Sequence, residues 1–261
     1  MIENPRSETR AALSAVDAGL RIALARAGAD KVTLKGVRDL VTATDVAVED
    51  AVRAALAETG LPVVGEERGG DLPVSGGYWL VDPICGTRNF ASGTPLFCVN
   101  VALVEGGQVT VAAVGDPTTG GLLYAERGRG AWVTDAEGDR RLETSTATET
   151  LVVDDAGSKD ARRAHAARFA SAVILADRWD FRSMGTTLAL PYVAAARVSA
   201  YACFHVRALH GAPGTLLVSE AGGMVSDIDG DPWTIESSTM LAAATSELHA
   251  DLLGISQAAR G

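Results

Sequence analysis

Residues 79–90 read WLVDPICGTRNF, an apolar run that leads directly into an acid, a proline and a Gly-Thr pair. The apolar start is typical of a buried strand, and the glycine indicates a turn after it. Asp82 is then placed to hold a hard cation, and the backbone amides around Gly86 and Thr87 are placed to bind phosphate. A tight Pro-Gly turn that Asp82 merely caps fits the same spacing. The stretch predicts a strand and a polar site, with its chemistry open.

The composition limits the classes of partner. The chain has 261 residues, 47% hydrophobic and 21% charged, which is typical of one large domain or two small ones. Its formal charge is -10, with 33 acidic and 23 basic residues and no basic run, so nucleic acid and anionic membranes are not expected partners. No apolar run reaches the roughly 20 residues of a membrane span, and the N-terminus lacks a signal-peptide pattern. We expect a cytoplasmic protein that binds a small molecule.

Helical and strand patterns alternate along the first half of the chain. Apolar spacing predicts one helix that stops at Gly28 and a second that begins near Asp45, a common N-cap residue, and stops at Gly60. Four β-rich runs follow at 78–81, 97–104, 109–114 and 122–125. They indicate a meandering sheet.

The second half has a different pattern. A strand at 151–153, a charged helix that ends near Ala170 and a strand-like run at 172–175 indicate further α/β alternation. We therefore predict an N-terminal α+β subdomain over 1–141 and a C-terminal α/β subdomain over 142–261, packed as a single compact unit.

Several cysteines, histidines and tryptophans call for their own interpretation. Three cysteines are an odd number without framework spacing, which predicts reduced thiols. Cys98 lies in an apolar run and is expected in the core, whereas Cys203 beside His205 is a second candidate thiol-imidazole pair. His165 and His249 are expected on the solvated faces of helices. The remaining expectation is that three tryptophans serve packing: Trp132, Trp179 and Trp233.

Four segments resemble, in order and spacing, the motifs of the inositol monophosphatase family. They are DLVTATD at 39–45, GEE at 65–67, DPICGTRNF at 82–90 and GTLLVSEAGG at 214–223, and RSMGTT at 182–187 also fits. Chance supplies one short motif easily but rarely four in order. The resemblance covers nearly the whole chain and implies a five-layered αβαβα sandwich, α+β / α/β in class, and a homodimer.

The resemblance also implies a chemistry, the Mg²⁺-dependent hydrolysis of a phosphate monoester. Glu66, Asp82 and the carbonyl of Ile84 match the ligands of the family's first metal ion. Thr87 and Asp45 match the pair that orients and deprotonates the attacking water. This half of the family's machinery is present in the sequence.

Four positions match groups that bind phosphate or substrate in the family. They are Gly86, Thr87, Gly185 and Thr186. Cys203 aligns with a glutamate that contacts the inositol ring, and a thiol cannot accept paired hydroxyl hydrogen bonds as a carboxylate does. Inositol phosphate is therefore not the expected substrate.

The half of the motif set that holds the second metal ion departs from the family. DPIDGT reads DPICGT here and WDxAAG reads LHGAPG at 209–214, so that Cys85 and His210 replace two aspartates. Mg²⁺ has little affinity for thiolate or imidazole, and a normal second Mg²⁺ site is not expected. Since the two aspartates share one metal ion in the family, Cys85 and His210 should be neighbours.

Four roles for this pair remain open. Cys85 can be a nucleophile of lowered pKa with His210 as its base, for acyl transfer, condensation or cyclisation in specialised biosynthesis. Asp82, Cys85 and His210 can bind Zn²⁺. Protonated His210 can donate to the leaving oxygen of a phosphatase that uses one metal ion. Both residues can also be inert, Cys85 as a buried hydrophobe and His210 as a surface residue.

We therefore expect a divergent enzyme of this family that acts on a small phosphorylated or anionic metabolite. Its expected catalytic residues are Cys85, His210, Asp45 and Thr87. The expected cofactor is one Mg²⁺ at Glu66 and Asp82, with Zn²⁺ at Asp82, Cys85 and His210, or no metal ion, as alternatives. Two other functions stay open: a metal-independent Cys-His catalyst, and a homologue that binds a phosphorylated metabolite without turnover.

Overall fold

The computed structural model describes residues 1–27, 33–36, 39–73, 75–155 and 161–260. The predicted helix stop at Gly28 lies outside these residues. No helix in the described ranges is long and apolar enough to cross a membrane. All three cysteines are buried and carry free thiols.

The first half of the chain forms three helices and nine strands within the described residues. In chain order they are α1 (Ser7–Arg26), β1 (Thr33–Gly36), β2 (Asp39–Val41), α2 (Ala43–Leu56), β3 (Val63–Gly65), β4 (Tyr78–Cys85), α3 (Thr87–Ala91), β5 (Cys98–Glu105), β6 (Gln108–Asp116), β7 (Gly121–Glu126), β8 (Ala131–Asp135) and β9 (Gly138–Arg141). The four predicted β-rich runs lie in β4, β5, β6 and β7. The second helix differs in one detail, since its N-cap is Thr42 and Asp45 lies in its first turn.

The second half alternates helices and strands. In chain order they are β10 (Thr150–Asp154), α4 (Ala161–Ala176), β11 (Asp180–Arg182), α5 (Ala189–Ala194), β12 (Ala200–Cys203), α6 (Ala208–Glu220), β13 (Met224–Ser226), β14 (Met240–Ala243) and α7 (Ser246–Ala258). The division into subdomains at residue 141 stays a prediction.

Two large sheets organise these elements. The first has the strand order β3-β4-β5-β6-β7-β8-β9 and is antiparallel except where β3 pairs with β4. The second is mixed, with the order β11-β10-β12-β14-β13. A two-stranded ribbon of β1 and β2 lies outside both sheets.

Alternating side chains on the strands build five layers. On β5, Val99 and Val101 pack with α1 and α2, whereas Ala102 and Val104 pack with α5 and α6. The outer face of the second sheet packs with α4 and α7. The order α1/α2, first sheet, α5/α6, second sheet, α4/α7 is the predicted αβαβα sandwich.

The middle helix layer is packed closely. A Cβ atom added at Gly214 of α6 would lie 2.4 Å from the Cβ atom of Leu190 on α5, so a larger residue would push the helices apart. At Gly211 an added Cβ would lie 2.6 Å from the Met240 methyl group. This close packing fixes the start of α6, where His210 lies, between the two sheets.

The strand expected at 172–175 was wrong, because helix α4 continues to Ala176. Phe169 and Val173, four residues apart, are both fully buried, whereas Ile174 and Leu175 are 54% and 83% exposed. This one-sided burial follows the helical period. The β-branched residues suggested a strand, but packing against α7 and the second sheet decided the outcome.

The expected solvation of two helical histidines was also wrong. His165 and His249 are buried, with 9% and 8% of their surface exposed. The His165 Nε2 atom lies 2.8 Å from the Ser256 carbonyl oxygen, and the His249 Nε2 atom lies 2.8 Å from Ser226 Oγ. Burial lowers the pKa of His249. Cys98 and the three tryptophans do pack against the core, as predicted.

Candidate active site

The site lies where β4 ends between the two sheets. Gly86 follows the strand with a φ of 106°, in the left-handed region that favours glycine, and turns the chain into α3. A cleft of about 310 Å³ opens there. Its lining includes most of the predicted site residues: Glu66, Ile84, Cys85, Gly86, Thr87, Gly185, Thr186, Cys203 and His210. The turn after β4 is thus part of the cleft lining and does more than reverse the chain.

Asp45 lies at the N-terminus of α2, buried behind the cleft residue Thr87. Thr42 and Asp45 form a capping box in which Asp45 Oδ2 accepts from the Thr42 amide at 2.8 Å and from Thr42 Oγ1 at 2.6 Å. The other oxygen, Oδ1, accepts from Thr87 Oγ1 at 3.4 Å. Burial, together with the charges of Glu67 and Asp82, raises the pKa of Asp45 to about 6 despite these hydrogen bonds. A carboxylate of this pKa is suited to accept a proton near neutral pH.

Two further acids, Asp82 and Glu66, lie side by side close to Asp45. Asp82, on β4, is fully buried, and its Oδ1 atom has no hydrogen-bond partner. Burial and the neighbouring charge of Asp82 raise the pKa of Glu66 to about 8. Two desolvated carboxylates in contact repel each other unless a proton or a cation lies between them.

His210 supplies a positive charge to this pair. Its Nδ1 atom lies 2.6 Å from Asp82 Oδ2, and its Nε2 atom lies 3.7 Å from Glu66 Oε1. Burial acts to lower the pKa of His210, but the charge of Asp82 and the hydrogen bond to it outweigh burial and raise that pKa well above its usual value. Arg207 Nη1, 3.5 Å from Glu66 Oε1, adds a second cation. The side chain of His210 is 22% exposed, so the imidazolium reaches the cleft.

Cys85 is close to His210, as predicted, and its surroundings favour the protonated thiol. Its hydrogen bond with the Cys98 thiol and its burial raise the pKa of Cys85 well above the usual value. The Cys85 Sγ atom lies 3.0 Å from Thr187 Oγ1, whose own proton goes to the His210 carbonyl at 2.8 Å. Either atom can be the donor between the thiol and the hydroxyl, and Cys85 Sγ also accepts from the Thr187 amide at 3.4 Å. A cysteine nucleophile is favoured by a lowered pKa, and the direction here is the opposite, so the nucleophile role of Cys85 stays a prediction.

Thr187 and Asn100 support the site, and sequence reasoning gave neither a role. The Asn100 Nδ2 group donates to Thr187 Oγ1 and to the His210 carbonyl, each at 3.1 Å. The two side chains thereby join β5, the loop before α5 and the start of α6. Asn100 was detectable as a polar residue inside the apolar run at 97–104, because a buried amide needs partners.

The far end of the cleft is formed by the loop before α5. Asp154 Oδ1 accepts from Ser183 Oγ at 2.7 Å and from the amides of Met184 and Gly185 at 3.0 Å each. This holds Gly185 at the cleft. Cys203 also lines the cleft, and its Sγ contacts the His205 backbone carbonyl at 3.2 Å, so no contact with the His205 imidazole is needed to place it.

The donor atoms distinguish two cation positions. Glu66, the unpartnered Oδ1 of Asp82 and the Ile84 carbonyl, which accepts from Thr87 Oγ1 at 3.2 Å, are oxygen donors of the kind that Mg²⁺ prefers. A second Mg²⁺ does not fit, because Asp82 Oδ2 is bonded to His210 and the remaining groups are a protonated thiol and an imidazole. The ligand atoms of Asp82, Cys85 and His210 all lie within 4.8 Å of one another.

Two observations define the class of protein: an αβαβα sandwich, and a group of acids, Asp45, Glu66 and Asp82, close together where β4 ends. The sequence model of a protein family described as "Inositol monophosphatase family" matches residues 5–260 of this chain. An inositol-1-monophosphatase of Mesorhizobium japonicum is 35% identical over 219 residues, covering 81% of each chain. The Nus factor SuhB of Pasteurella multocida is 35% identical over 217 residues, covering 81% of this chain and 80% of that protein.

A solved structure agrees with these relatives. The extragenic suppressor protein suhB of Bartonella henselae superposes with a TM-score of 0.86 at 25% identity, covering 97% of this chain and 99% of that one. The chain belongs to the inositol monophosphatase family. Relatives of this chain are phosphatases by name, and the family is metal-dependent.

Proposed function

We propose that the protein hydrolyses the phosphate monoester of a small metabolite, with His210 in place of the family's second metal ion. The observation that carries the proposal is the 2.6 Å contact between His210 Nδ1 and Asp82 Oδ2. It brings a positive charge, held by a raised pKa, to Asp82, which matches a metal ligand of the family. The replacement of two aspartates thus removes the family's second metal site, and protonated His210 supplies a positive charge in its place.

Two residues carry out the two proton transfers of the proposed reaction. Asp45 accepts a proton from the attacking water, which Thr87 orients through its hydroxyl. His210 donates a proton to the leaving oxygen as the phosphorus–oxygen bond breaks, and solvent then restores that proton. The products are an alcohol and inorganic phosphate. A Mg²⁺ ion held by Glu66, Asp82 and the Ile84 carbonyl would supply charge stabilisation on the side of attack.

Two features support a small anionic substrate. Arg88 lines the cleft, and Arg207 and His210 lie beside Glu66 at its edge. The volume of about 310 Å³ suits a metabolite of modest size. The relatives' names include an inositol-1-monophosphatase, but Cys203 offers a thiol to the substrate end, so we propose a substrate other than inositol phosphate.

The proposal is tested by phosphate release from a panel of small monoesters, including p-nitrophenyl phosphate. The wild-type protein should release phosphate, with one saturable Mg²⁺ response. His210→Ala should lower kcat by about 100-fold or more, because general-acid catalysis typically contributes about 10²–10⁴-fold. His205→Ala is the matched control, since His205 lines the same cleft without contacting Asp82. Equal activity of wild type and His210→Ala would refute the role of His210.

A double substitution gives the opposite test. Cys85→Asp with His210→Asp restores the family's two acids, and it should create a second Mg²⁺ response at higher concentration. Absence of phosphate release from every monoester by the wild type, together with release by the double variant, would favour the homologue that binds without turnover. Release by both with the same Mg²⁺ dependence would contradict the proposed replacement of a metal ion by His210.

A further inference from the structure

We propose that Asp82, Cys85 and His210 also form a binding site for one borderline-soft divalent metal ion of the Zn²⁺ or Co²⁺ type. The ligand atoms of the three side chains lie within 4.8 Å of one another. Ligand atoms around a tetrahedral zinc ion, at about 2.0–2.3 Å from the metal, lie roughly 3.3–3.8 Å apart. His210 Nδ1 and Asp82 Oδ2 are 2.6 Å apart and would separate when the proton between them leaves. Only small adjustments would bring all three to one ion.

The three ligands have fixed positions. Asp82 and Cys85 lie on β4, on either side of a register shift in its pairing with β5, so both can point to the same side. His210 lies in the first turn of α6. Its backbone carbonyl accepts from Asn100 and Thr187, and Thr187 also contacts Cys85 Sγ at 3.0 Å. A site on such supported elements is largely formed before the ion arrives.

The donor set selects the class of metal. One carboxylate, one thiolate and one imidazole suit Zn²⁺ and Co²⁺, whereas Mg²⁺ prefers oxygen ligands. Three protein ligands leave one tetrahedral position open, as in catalytic zinc sites. Cys85 and His210 both line the cleft, so the open position faces the space where a water or phosphate oxygen would lie.

The other two cysteines do not share this arrangement. Cys98 is fully buried and its Sγ contacts Asn100 Oδ1 at 3.5 Å, and Cys203 contacts a backbone carbonyl. Within the described ranges, the Asp82-Cys85-His210 set is the one group of three such ligands that is close enough for one ion.

Metal binding displaces two protons. The thiol proton of Cys85 and the proton between His210 Nδ1 and Asp82 Oδ2 pass to solvent, and the ion takes the freed lone pairs. The ion and the imidazolium therefore exclude each other. The inference concerns binding alone and does not rest on the proposed hydrolysis.

The test is a Co²⁺ titration of the full chain without substrate. We expect one Co²⁺ per chain, a sulfur-to-metal charge-transfer band in the near ultraviolet, visible bands of a tetrahedral ion, and loss of both on addition of Zn²⁺. Cys85→Ser should remove the charge-transfer band. His210→Ala should weaken binding by at least about 10-fold, the lower range for disturbed metal sites. Mg²⁺ should not displace the Co²⁺ bands.

Cys98→Ala is the matched control, because it removes the neighbouring buried thiol and should leave the band in place. Melting curves identify any variant that fails to fold, and His210→Gln, which keeps the side-chain volume more closely, replaces His210→Ala in that case. The inference is overturned if the wild type gives no thiolate band, or if the band survives Cys85→Ser and disappears in Cys98→Ala. Since no phosphate ester is present, failure here leaves the test of hydrolysis unaffected.

Discussion

On one side of Asp82 the cleft presents oxygen atoms, and on the other it presents a thiol and an imidazole. The oxygen side contains Asp45, Thr87 and Glu66, with carboxyl pKa values raised to about 6 and about 8 by burial and by neighbouring acids. The other side contains Cys85 and His210, where the imidazole carries a positive charge held by Asp82. Both sides surround the same buried acid.

The oxygen side and the imidazole side of Asp82 obtain their positive charge from different sources. The oxygen side has repelling carboxylates and an unpartnered Asp82 Oδ1, which an external cation would satisfy. On the imidazole side, Asp82 Oδ2 is already satisfied by a group of the chain itself. Loss of two acidic ligands therefore changes the source of positive charge without removing the charge.

The largest effect should come from the oxygen side. Asp45→Asn should lower kcat for phosphate release by about 10²–10⁴-fold, because an amide cannot accept a proton from the attacking water. The wild-type rate should rise with pH through about 6, the raised pKa of Asp45, since only the ionised carboxylate is a base. Steady-state rates between pH 5 and 8 measure both effects.

Thr42→Ala is the control for the structural part of that loss. It removes the hydroxyl that bonds Asp45 Oδ2 but leaves the carboxylate. Loss of the cap should cost about 1 kcal/mol in the free energy of unfolding. If Thr42→Ala lowers kcat as much as Asp45→Asn does, Asp45 acts by capping α2 and not as a base.

An effect of intermediate size is expected in the free energy of unfolding, through Glu66 on the oxygen side. The pKa of Glu66 is raised to about 8 in the folded state, so the stability that protonated Glu66 contributes is complete below its unfolded value of 4.5 and is lost as pH rises to about 8. Glu66→Gln has no such loss. At pH 8 it should exceed the wild type in free energy of unfolding by on the order of 2 kcal/mol, and at pH 4.5 by close to none.

Urea unfolding at several pH values measures this difference. Mg²⁺ should stabilise the wild type at pH 8 and have little effect on Glu66→Gln, because the ion replaces the proton between the acids. A constant difference between the two proteins from pH 4.5 to 8 would show that Glu66 is not strained by its neighbouring acid.

The sequence predicted the sandwich through a resemblance, because four ordered motifs match a family with that fold. It predicted the neighbourhood of Cys85 and His210 for the same reason. It failed at α4, where Val173 and Ile174 suggested a strand and only tertiary packing shows which of them is buried. It also failed for His165 and His249, whose partners Ser256 and Ser226 are distant in the chain.

The state of the Cys85 thiol was beyond sequence reasoning for a physical reason. A cysteine beside a histidine suggests a thiolate, but the pKa also depends on burial, on the Cys98 thiol across the strand pair and on the negative charge of Asp82. All three raise the pKa of Cys85 and outweigh the hydrogen bond with His210, which lowers it. The effects of burial, of the Cys98 thiol and of Asp82 depend on distances in the folded protein, which the spacing of residues along the chain does not provide.

The smallest effect should come from Cys85 itself. Cys85→Ser keeps a donor toward Thr187 Oγ1, so kcat for phosphate release should fall by less than about 10-fold, well below the general-base or general-acid losses of about 10²–10⁴-fold. Iodoacetamide should label Cys85 more slowly near neutral pH than it labels free cysteine, because a raised pKa leaves little thiolate. A loss as large as that of His210→Ala, with rapid labelling that His210→Ala slows, would instead make the thiol the nucleophile. The imidazole side would then act by covalent catalysis rather than by supplying a cation.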